Sequence, residues 1–558
     1  MLFAGMTTRP TREPKIFETT APAPIPAWLT ARRALTGLAI LLTPLFLALV
    51  WVALRRSIWI DEAMALMNYP LPVVSLFDPL PRYDQAAPPL FNAISDMLWP
   101  LPIWAQRLAL FVAVASSFLA AMRPAYGWAV ALLTLLLTGL ILQHWIPIAS
   151  ELKYYGLDMA GCALILGWAS RNADRETLRP RDLIGLTLMA LLGIGSLVFS
   201  LAALGAVFLQ RAWSAGGLRF QRLAPTRKEL PFLVAFAIVL VGYALLIRHG
   251  TRIQIATYPD VYALEGFVGL RVFFTTCVNF GGKAALLIGV FCAGLAALSL
   301  AQPRTRAVGL AVLAVAALFA ALALLGLYPA SAPRHVAWLG AIFAFVLAEG
   351  IVACGRLTHI RWRAGLVAMA ALGLTCCWGI AKVAGLLRSP DPFSKVGNDA
   401  LMNWLVHQPV QDIGLWHGSQ PIVEVYSRTT PALAKHRFFG QVDTRSAFPM
   451  AETIGGPDVA TAEAIAQRIE TQRTEPGAWG RQSFYRRLGD HSAPARTLVA
   501  AAPRGRAFLI VTQLDLTAQD QWSRAGNQAL FSALSAQSCA HGPVLQVKNA
   551  YVLRVLCR

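Results

Sequence analysis

The chain has 558 residues, of which 56% are hydrophobic and only 14% charged, with a mean hydropathy of +0.54. An ordinary soluble globule carries roughly 25% charged residues, so this chain has too little charge to coat one, and lipid is the solvent for much of it. The net charge of +20 would suit a nucleic-acid binder in size but not in pattern: the arginines sit in short gaps between apolar runs, where membrane proteins place the cations that set their orientation.

A hydrocarbon core about 30 Å thick takes about 20 apolar residues per helix. Residues 1–33, with Arg9, Arg12, Lys15, Arg32, Arg33 and several prolines, read as a flexible cytoplasmic tail. The first apolar run, 35–54, is too long for a signal-peptide core and predicts a retained helix. Further spans are predicted at 105–122, 126–146 and 154–170. The run 183–210 is too long for one span and carries Gly193, Gly195, Ser196 and Ser200 in its middle, so it divides into two short helices. Spans at 230–247, 284–300, 307–327, 335–353 and 364–385 bring the total to about eleven. With that division, every strongly basic short loop shares a side with the N-terminus. The positive-inside rule then puts the N-terminus in the cytoplasm and residues 386–558 outside it.

In this C-terminal region, IVEVYS and RAFLIVT predict buried strands, and 458–473 and 519–537 predict helices. The run between Cys539 and Cys557 predicts a β-hairpin turning near Lys548-Asn549, which sets the two cysteines opposite each other. A disulfide is expected there, and it needs an oxidising compartment. The other six cysteines (Cys162, Cys277, Cys292, Cys354, Cys376 and Cys377) lie in or beside apolar runs without CxxC spacing, and no His/Cys cluster indicates zinc. The expected fold class is a polytopic α-helical membrane protein of the inner (plasma) membrane. A transmembrane domain over 34–385, with a long outer loop at 55–104, carries an extracytoplasmic (periplasmic or extracellular) α/β domain over 386–558.

Three outer segments hold ionisable groups, which are functional candidates at a membrane edge. RRSIWIDEAMALMNYP opens the first loop and places Asp61 and Glu62 just past the first helix. The loop continues RYDQAAPPLFNAI, with Gln85 and Pro88-Pro89. SELKYYGLD supplies Glu151, Lys153, Tyr154, Tyr155 and Asp158, and LYPASAPRHVAW supplies Arg334 and His335. An outer arginine opposes the positive-inside trend, and a bidentate contact to phosphate would explain it. Arg248, Arg252, Arg271 and Lys283 break the trend too. Outer carboxylates beside outer cations suit a reaction on a phosphate-linked substrate held at the membrane surface.

In this order, the segments resemble the GT-C superfamily of membrane glycosyltransferases, nearest to the bacterial relatives of protein O-mannosyltransferases and the lipid A aminoarabinose transferases. The DE pair after the first helix is similar to the family hallmark. Pro88-Pro89, ELKYYGLD and YPASAPRH are similar to its proline pair, a KxYxLD element and a late Arg-His motif. Tyr154 departs from the small, polar or proline residue usual at its position, and YPASAPRH lacks the usual glycines, which bears on substrate identity more than on reaction class. The resemblance implies an inverting transfer of a sugar from a polyprenyl-phosphate donor to an outer-face acceptor, whether lipid, glycan or protein. Asp61 would be the base, with Glu62 orienting the acceptor or ordering the loop. Arg334 and Lys153, with His335 and Tyr155, would bind the donor phosphate, and Glu151, Asp158 and Gln85 would contact substrate. Some members hold a divalent cation beside the acidic motif and others need none. Mg or Mn on Asp61 and Glu62 therefore stays open. The rival functions are a transporter or flippase for a lipid-linked saccharide and a non-catalytic polysaccharide-assembly protein. Against the first, the sequence shows no internal repeat of the kind common in transporters.

Overall fold

The computed structural model describes residues 26–69, 87–142, 144–213, 223–257, 266–297, 300, 302–328, 332–360, 362–386, 388, 393–394, 397–416, 419–439, 492–513, 521–548 and 550–558. The membrane part consists of α1 (Pro26–Leu54), the short α2 (Ile60–Leu66) and α3 (Pro89–Leu98), α4 (Ile103–Ile141), the short α5 (Trp145–Ala149), α6 (Tyr155–Asn172), α7 (Pro180–Ala190), α8 (Ile194–Trp213), α9 (Leu230–Thr257), α10 (Gly266–Ala297), α11 (Pro303–Leu324), α12 (Leu339–Ile360) and α13 (Trp362–Leu386). Among the described residues, seven helices are long and apolar enough to cross a membrane. The chain is a polytopic helical membrane protein.

The expected spans map onto these helices with informative differences. Two of them are the limbs of α4, which breaks at Gly127, where φ is +78°. Only glycine takes this conformation without strain. The chain folds back there: Phe118 and Trp145 would lie roughly 40 Å apart along one straight helix, yet their ring centroids are 5.4 Å apart. The run 183–210 does divide, into α7 and α8. At 11 residues, α7 is only about 16 Å long, shorter than an ordinary span. One helix begins earlier than expected. Residues 266–281 form the first limb of α10, ahead of a break at Gly282. They bury Phe273, Thr276 and Phe280 on one side, while Phe267, Val268, Phe274 and Val278 stay exposed. Arg271 within this stretch masked its helical pattern in the sequence.

Hydrogen bonds show which ends meet. The Tyr126 hydroxyl, beside the α4 break, and the Thr305 hydroxyl, at the start of α11, both donate to Glu349 Oε1 of α12, at 2.9 and 3.2 Å. Arg211 at the end of α8 pairs with Glu229 at 2.8 Å, and Glu229 also accepts the Leu178 N–H at 2.7 Å. Arg304 lies 3.8 Å from Asp174. The basic loops thus gather at one end of the bundle, and residues 55–69, 150–155 and 332–338 lie at the other, called the site end below.

Asp158 is the reason α8 starts where it does. Its carboxylate accepts the backbone N–H groups of Gly195 (2.9 Å) and Ser196 (2.7 Å) and the Ser196 hydroxyl (2.7 Å). These are the orphan donors of a helix N-terminus, where a negative charge is stabilised. A Cβ on Gly195 would stand 2.7 Å from Asp158 Oδ2, and one on Gly193 would collide with the same carboxylate.

The C-terminal part contains α14 (Asn398–His407), β1 (Asp412–Trp416), α15 (Ser419–Thr429), β2 (Arg437–Phe439), α16 (Ser492–Ala500), β3 (Ala507–Thr512), α17 (Gln521–Ala536), β4 (Cys539–Val547) and β5 (Ala550–Cys557). The sheet order is β2-β1-β3-β5-β4, with β2, β1 and β3 parallel and β3-β5-β4 antiparallel. RAFLIVT forms β3, α17 falls within the helix expected at 519–537, and 458–473 lies outside the described residues. Cys539 and Cys557 are cross-strand partners joined by a disulfide, and Lys548 takes a left-handed φ of +48° at the turn. IVEVYS is helical, not a strand. Ile422, Val423, Val425 and Tyr426 form a stripe with helical spacing that a run of six cannot distinguish from a buried strand, and Gln420 bonds Glu424 one turn away at 2.9 Å.

Side chains alternate along β3. Phe508 and Ile510 face α16 and α17, whereas Leu509 and Val511 face a core containing Leu401 and Ile422. That second core is continuous with Ile58, Ala63, Met64, Leu66 and Met67 around α2. The C-terminal domain therefore packs directly on the acidic segment.

Asp158→Ala removes a buried acceptor from three donors, and each unsatisfied buried group costs about 1–3 kcal/mol. The variant should unfold several degrees below wild type in detergent, while Asp158→Glu recovers little because Gly193 and Gly195 leave no room. A wild-type melting curve for Asp158→Ala would refute the capping role.

Candidate active site

The DE pair begins α2, and its two carboxylates have separate surroundings. Neighbouring residues of a helix point about 100° apart. Glu62 is fully buried, its Oε1 2.8 Å from Arg56 and its Oε2 2.7 Å from Arg107. Its Oε1 also accepts the Leu152 N–H at 3.1 Å. The terminal nitrogens of the two arginines have further partners. Arg56 donates to Ala53 O at 2.7 Å and to Ser150 Oγ at 2.9 Å, and Arg107 donates to Leu54 O at 3.1 Å and Arg56 O at 2.5 Å. Burial alone would push the Glu62 carboxyl up. The Arg107 and Arg56 charges, with their hydrogen bonds and that of Leu152, outweigh burial and hold it below the usual 4.5.

Asp61 faces the other way. Its Oδ2 lies 2.7 Å from Arg334, and both side chains keep contact with solvent at 20% and 24% exposure. Arg334 belongs to a 3-10 turn, Pro333–Val336. Its guanidinium lies 4.9 Å over the Trp59 ring and hydrogen-bonds the Tyr155 hydroxyl. The Trp59 indole N–H donates to Glu151 at 3.1 Å. Lys153 is buried within reach of the charges of Asp61, Arg334, Glu151 and Glu62, and burial lowers its pKa from the ordinary 10.5. His335 packs against Tyr155 at 5.8 Å between centroids, and the Tyr328 hydroxyl donates to its carbonyl. Burial, then the Arg334 and Lys153 charges, depress His335 well below 6.5, so its ring is neutral at pH 7. Around Asp61 and Glu62, the cations Arg56, Arg107, Lys153 and Arg334 outnumber the carboxylates of Asp61, Glu62 and Glu151 by one. That excess favours an incoming anion.

The fold thus brings Asp61, Glu151, Lys153, Tyr155, Arg334 and His335 together, with Glu62 directly behind them. Asp158, expected to contact substrate, is instead taken up by the α8 N-terminus. Gln85 lies outside the described residues. Pro88-Pro89 opens α3, with Pro89 at the first helical position, where its missing N–H matters least. Arg248, Arg271 and Lys283 are exposed on α9 and α10. Arg56 and Arg107, which hold Glu62, are residues that sequence reasoning missed. Both are cations at the site end, the same break in the positive-inside trend that singled out Arg334.

As arranged, the DE pair does not fit a divalent cation. Glu62 is held by two guanidinium groups, and Asp61 turns away from it toward a third. Among the described residues, no group of three His, Cys, Asp or Glu side chains converges to hold a metal.

No family model matches the sequence, and no curated relative does. The chain is similar in structure to ArnT from Cupriavidus metallidurans. Over 93% of this chain and 98% of that one, it is 14% identical to the crystal structure bound to undecaprenyl phosphate, with a TM-score of 0.49. The apo-state crystal structure gives the same identity and coverage with a TM-score of 0.42.

Two of the depressed groups, His335 and Glu62, set distinct acid limits. An unfolded-state histidine takes up a proton below about pH 6.5, and an unfolded glutamate below about 4.5. In the folded protein His335 stays neutral and Glu62 stays ionised further into acid. Both contributions are therefore complete above these values and are lost as pH falls. Melting temperature in detergent should begin to fall below about pH 6.5, and His335→Asn should flatten the slope between about pH 5 and 6.5. An unchanged slope would contradict the buried neutral His335. Glu62→Ala leaves two buried guanidinium groups without their anion and should cost about 3–5 kcal/mol.

Proposed function

We propose that this protein is an inverting glycosyltransferase of the GT-C type, moving a sugar from a polyprenyl-phosphate carrier to an acceptor hydroxyl or amine at the outer face of the plasma membrane. The single observation that carries the proposal is the solvent-reached Asp61–Arg334 pair at 2.7 Å, set beside Lys153 at the end of the bundle opposite the basic loops. A carboxylate and two cations at a membrane surface are the parts that transfer from a lipid phosphate requires.

In the proposed reaction, an acceptor oxygen or nitrogen attacks the anomeric carbon from the side opposite the phosphate. The new bond to the sugar forms as the carbon–oxygen bond to phosphate breaks, so the configuration inverts. The acceptor proton passes to Asp61, a base that must lie within hydrogen-bond reach of it. The bonding pair leaves on the phosphate oxygen, and its growing charge is stabilised by the fixed cations Arg334 and Lys153. The neutral His335 and the Tyr155 hydroxyl supply further polar contacts. Arg334 has a second effect. Before the donor arrives, it neutralises Asp61. A phosphate that draws the guanidinium away frees the base, so donor binding comes first. Glu62 orders the loop. The basic end of the bundle faces the cytoplasm, which sets the C-terminal domain and its disulfide outside.

Asp61→Asn should abolish transfer, measured by mass spectrometry of envelope glycans and glycoproteins, while the protein still inserts and folds. Normal transfer by this variant would sink the assignment. Arg334→Ala should weaken binding of undecaprenyl phosphate to the purified protein by tenfold or more, since a charge-assisted hydrogen bond contributes about 1.5–3 kcal/mol. Unchanged affinity would remove Arg334 from the donor site.

A further inference from the structure

The segment that carries Asp61 cannot hold itself in place. α2 has seven residues, fewer than the about 12–15 that an isolated helix needs for even marginal stability, and the four residues before it form no regular element. Glu62 fastens α2 to the helix bundle. The opposite side is held by the C-terminal domain, at every point where residues 57 and 58 have a described hydrogen bond. The Ser57 N–H donates to Ser394 Oγ at 2.8 Å, and Ser57 Oγ accepts the Asp399 N–H at 3.3 Å. The Ile58 N–H donates to the Tyr426 hydroxyl at 3.4 Å, and Ile58 O accepts from Asn398 Nδ2 at 2.7 Å. The amide of Asn398 is fixed in this orientation because its Oδ1 accepts from Gln513 at 2.8 Å, and the Tyr426 hydroxyl donates to Asp399. Beyond α2, Arg428 donates to Tyr69 O at 2.9 Å. Ala63, Met64, Leu66 and Met67 share one core with Leu401, Ile422 and Val425.

We infer that Asn398 and Tyr426 are positioning residues for the transfer reaction, and that the C-terminal domain aims Asp61 at the acceptor. The inference rests on the proposed transferase activity. Neither residue touches the reacting atoms. Each fixes the backbone of Ile58, three residues before Asp61, and a displacement of about 1 Å at a reacting group can cost about a hundredfold in rate. The donor phosphate is held by Arg334 and Lys153, which belong to other segments. Loosening residues 57–66 should therefore slow transfer and leave donor-lipid affinity alone.

The test uses the full chain, in cells and purified in nanodiscs, with the variants Asn398→Ala and Tyr426→Phe beside Asp61→Asn. Tyr426→Phe removes a single oxygen, which keeps the fold at little risk. Three quantities are read: transfer, from the glycan mass shift in cells at matched expression; affinity of the purified protein for undecaprenyl phosphate; and hydrogen–deuterium exchange across the chain. Transfer should fall about tenfold or more, affinity should stay within about twofold, and exchange should rise over residues 57–66 alone. Wild-type transfer in both variants, with Asp61→Asn inactive, would overturn the inference and leave the transferase reading intact. Active Asp61→Asn protein would instead overturn that reading. Loss of lipid binding with raised exchange throughout the C-terminal domain would also overturn the inference, because the two residues would then be holding the fold and not aiming the base.

Discussion

A buried carboxylate shared by two buried arginines underlies the whole site. Glu62 could not sit at the junction of α1, α2, α4 and the loop before α6 without compensation, since an unpaired buried charge costs several kcal/mol. Arg56 and Arg107 supply it. They also take the carbonyls of Ala53 and Leu54 at the end of α1, which the helix itself leaves without donors. The Leu152 N–H adds the 150–155 segment to the same anchor. One ionised group thus fixes where the first membrane helix stops, where α2 begins and where Lys153 stands.

The cluster divides its work between adjacent residues. Because α2 turns Asp61 away from Glu62, the first carboxylate keeps access to solvent while the second is sealed. The exposed one meets Arg334 from a distant part of the chain, over the face of Trp59. The excess of one positive charge arises where two arginines share Glu62, directly behind the solvent-reached Asp61–Arg334 pair. The C-terminal domain covers the other side of α2 and extends its hydrophobic core onto it. The acidic segment is consequently held between two bodies, the helix bundle and the C-terminal domain.

Much of this was legible in the sequence for physical reasons. Apolar runs near the thickness of a bilayer marked the helices, and basic loops marked one face. Asp61, Lys153, Tyr155, Arg334 and His335 stood out as ionisable or hydrogen-bonding groups on the other face, and the structure gathers them. Glycines in 183–210 marked the α7–α8 turn, but the group that requires them, Asp158, lies in a distant segment, so its capping role could not be read locally. Arg56 and Arg107 were missed because each looks like an ordinary membrane-edge arginine until Glu62 is placed between them. IVEVYS reads as a strand because its apolar spacing fits both periods over six residues. Residues 266–281 do not read as a span because Arg271 interrupts an otherwise apolar helix.

The proposed transfer depends on the position of the donor phosphate relative to Asp61 and Arg334. A cryo-electron microscopy reconstruction of the full chain in nanodiscs with undecaprenyl phosphate measures it directly. Phosphate density is expected within hydrogen-bond distance, about 3 Å, of the Arg334 guanidinium and beside Lys153, with the Asp61–Arg334 contact opened and Glu62 still held by Arg56 and Arg107. Phosphate lodged at the basic end of the bundle, or bound with the Asp61–Arg334 pair closed and untouched, would contradict the proposed transfer.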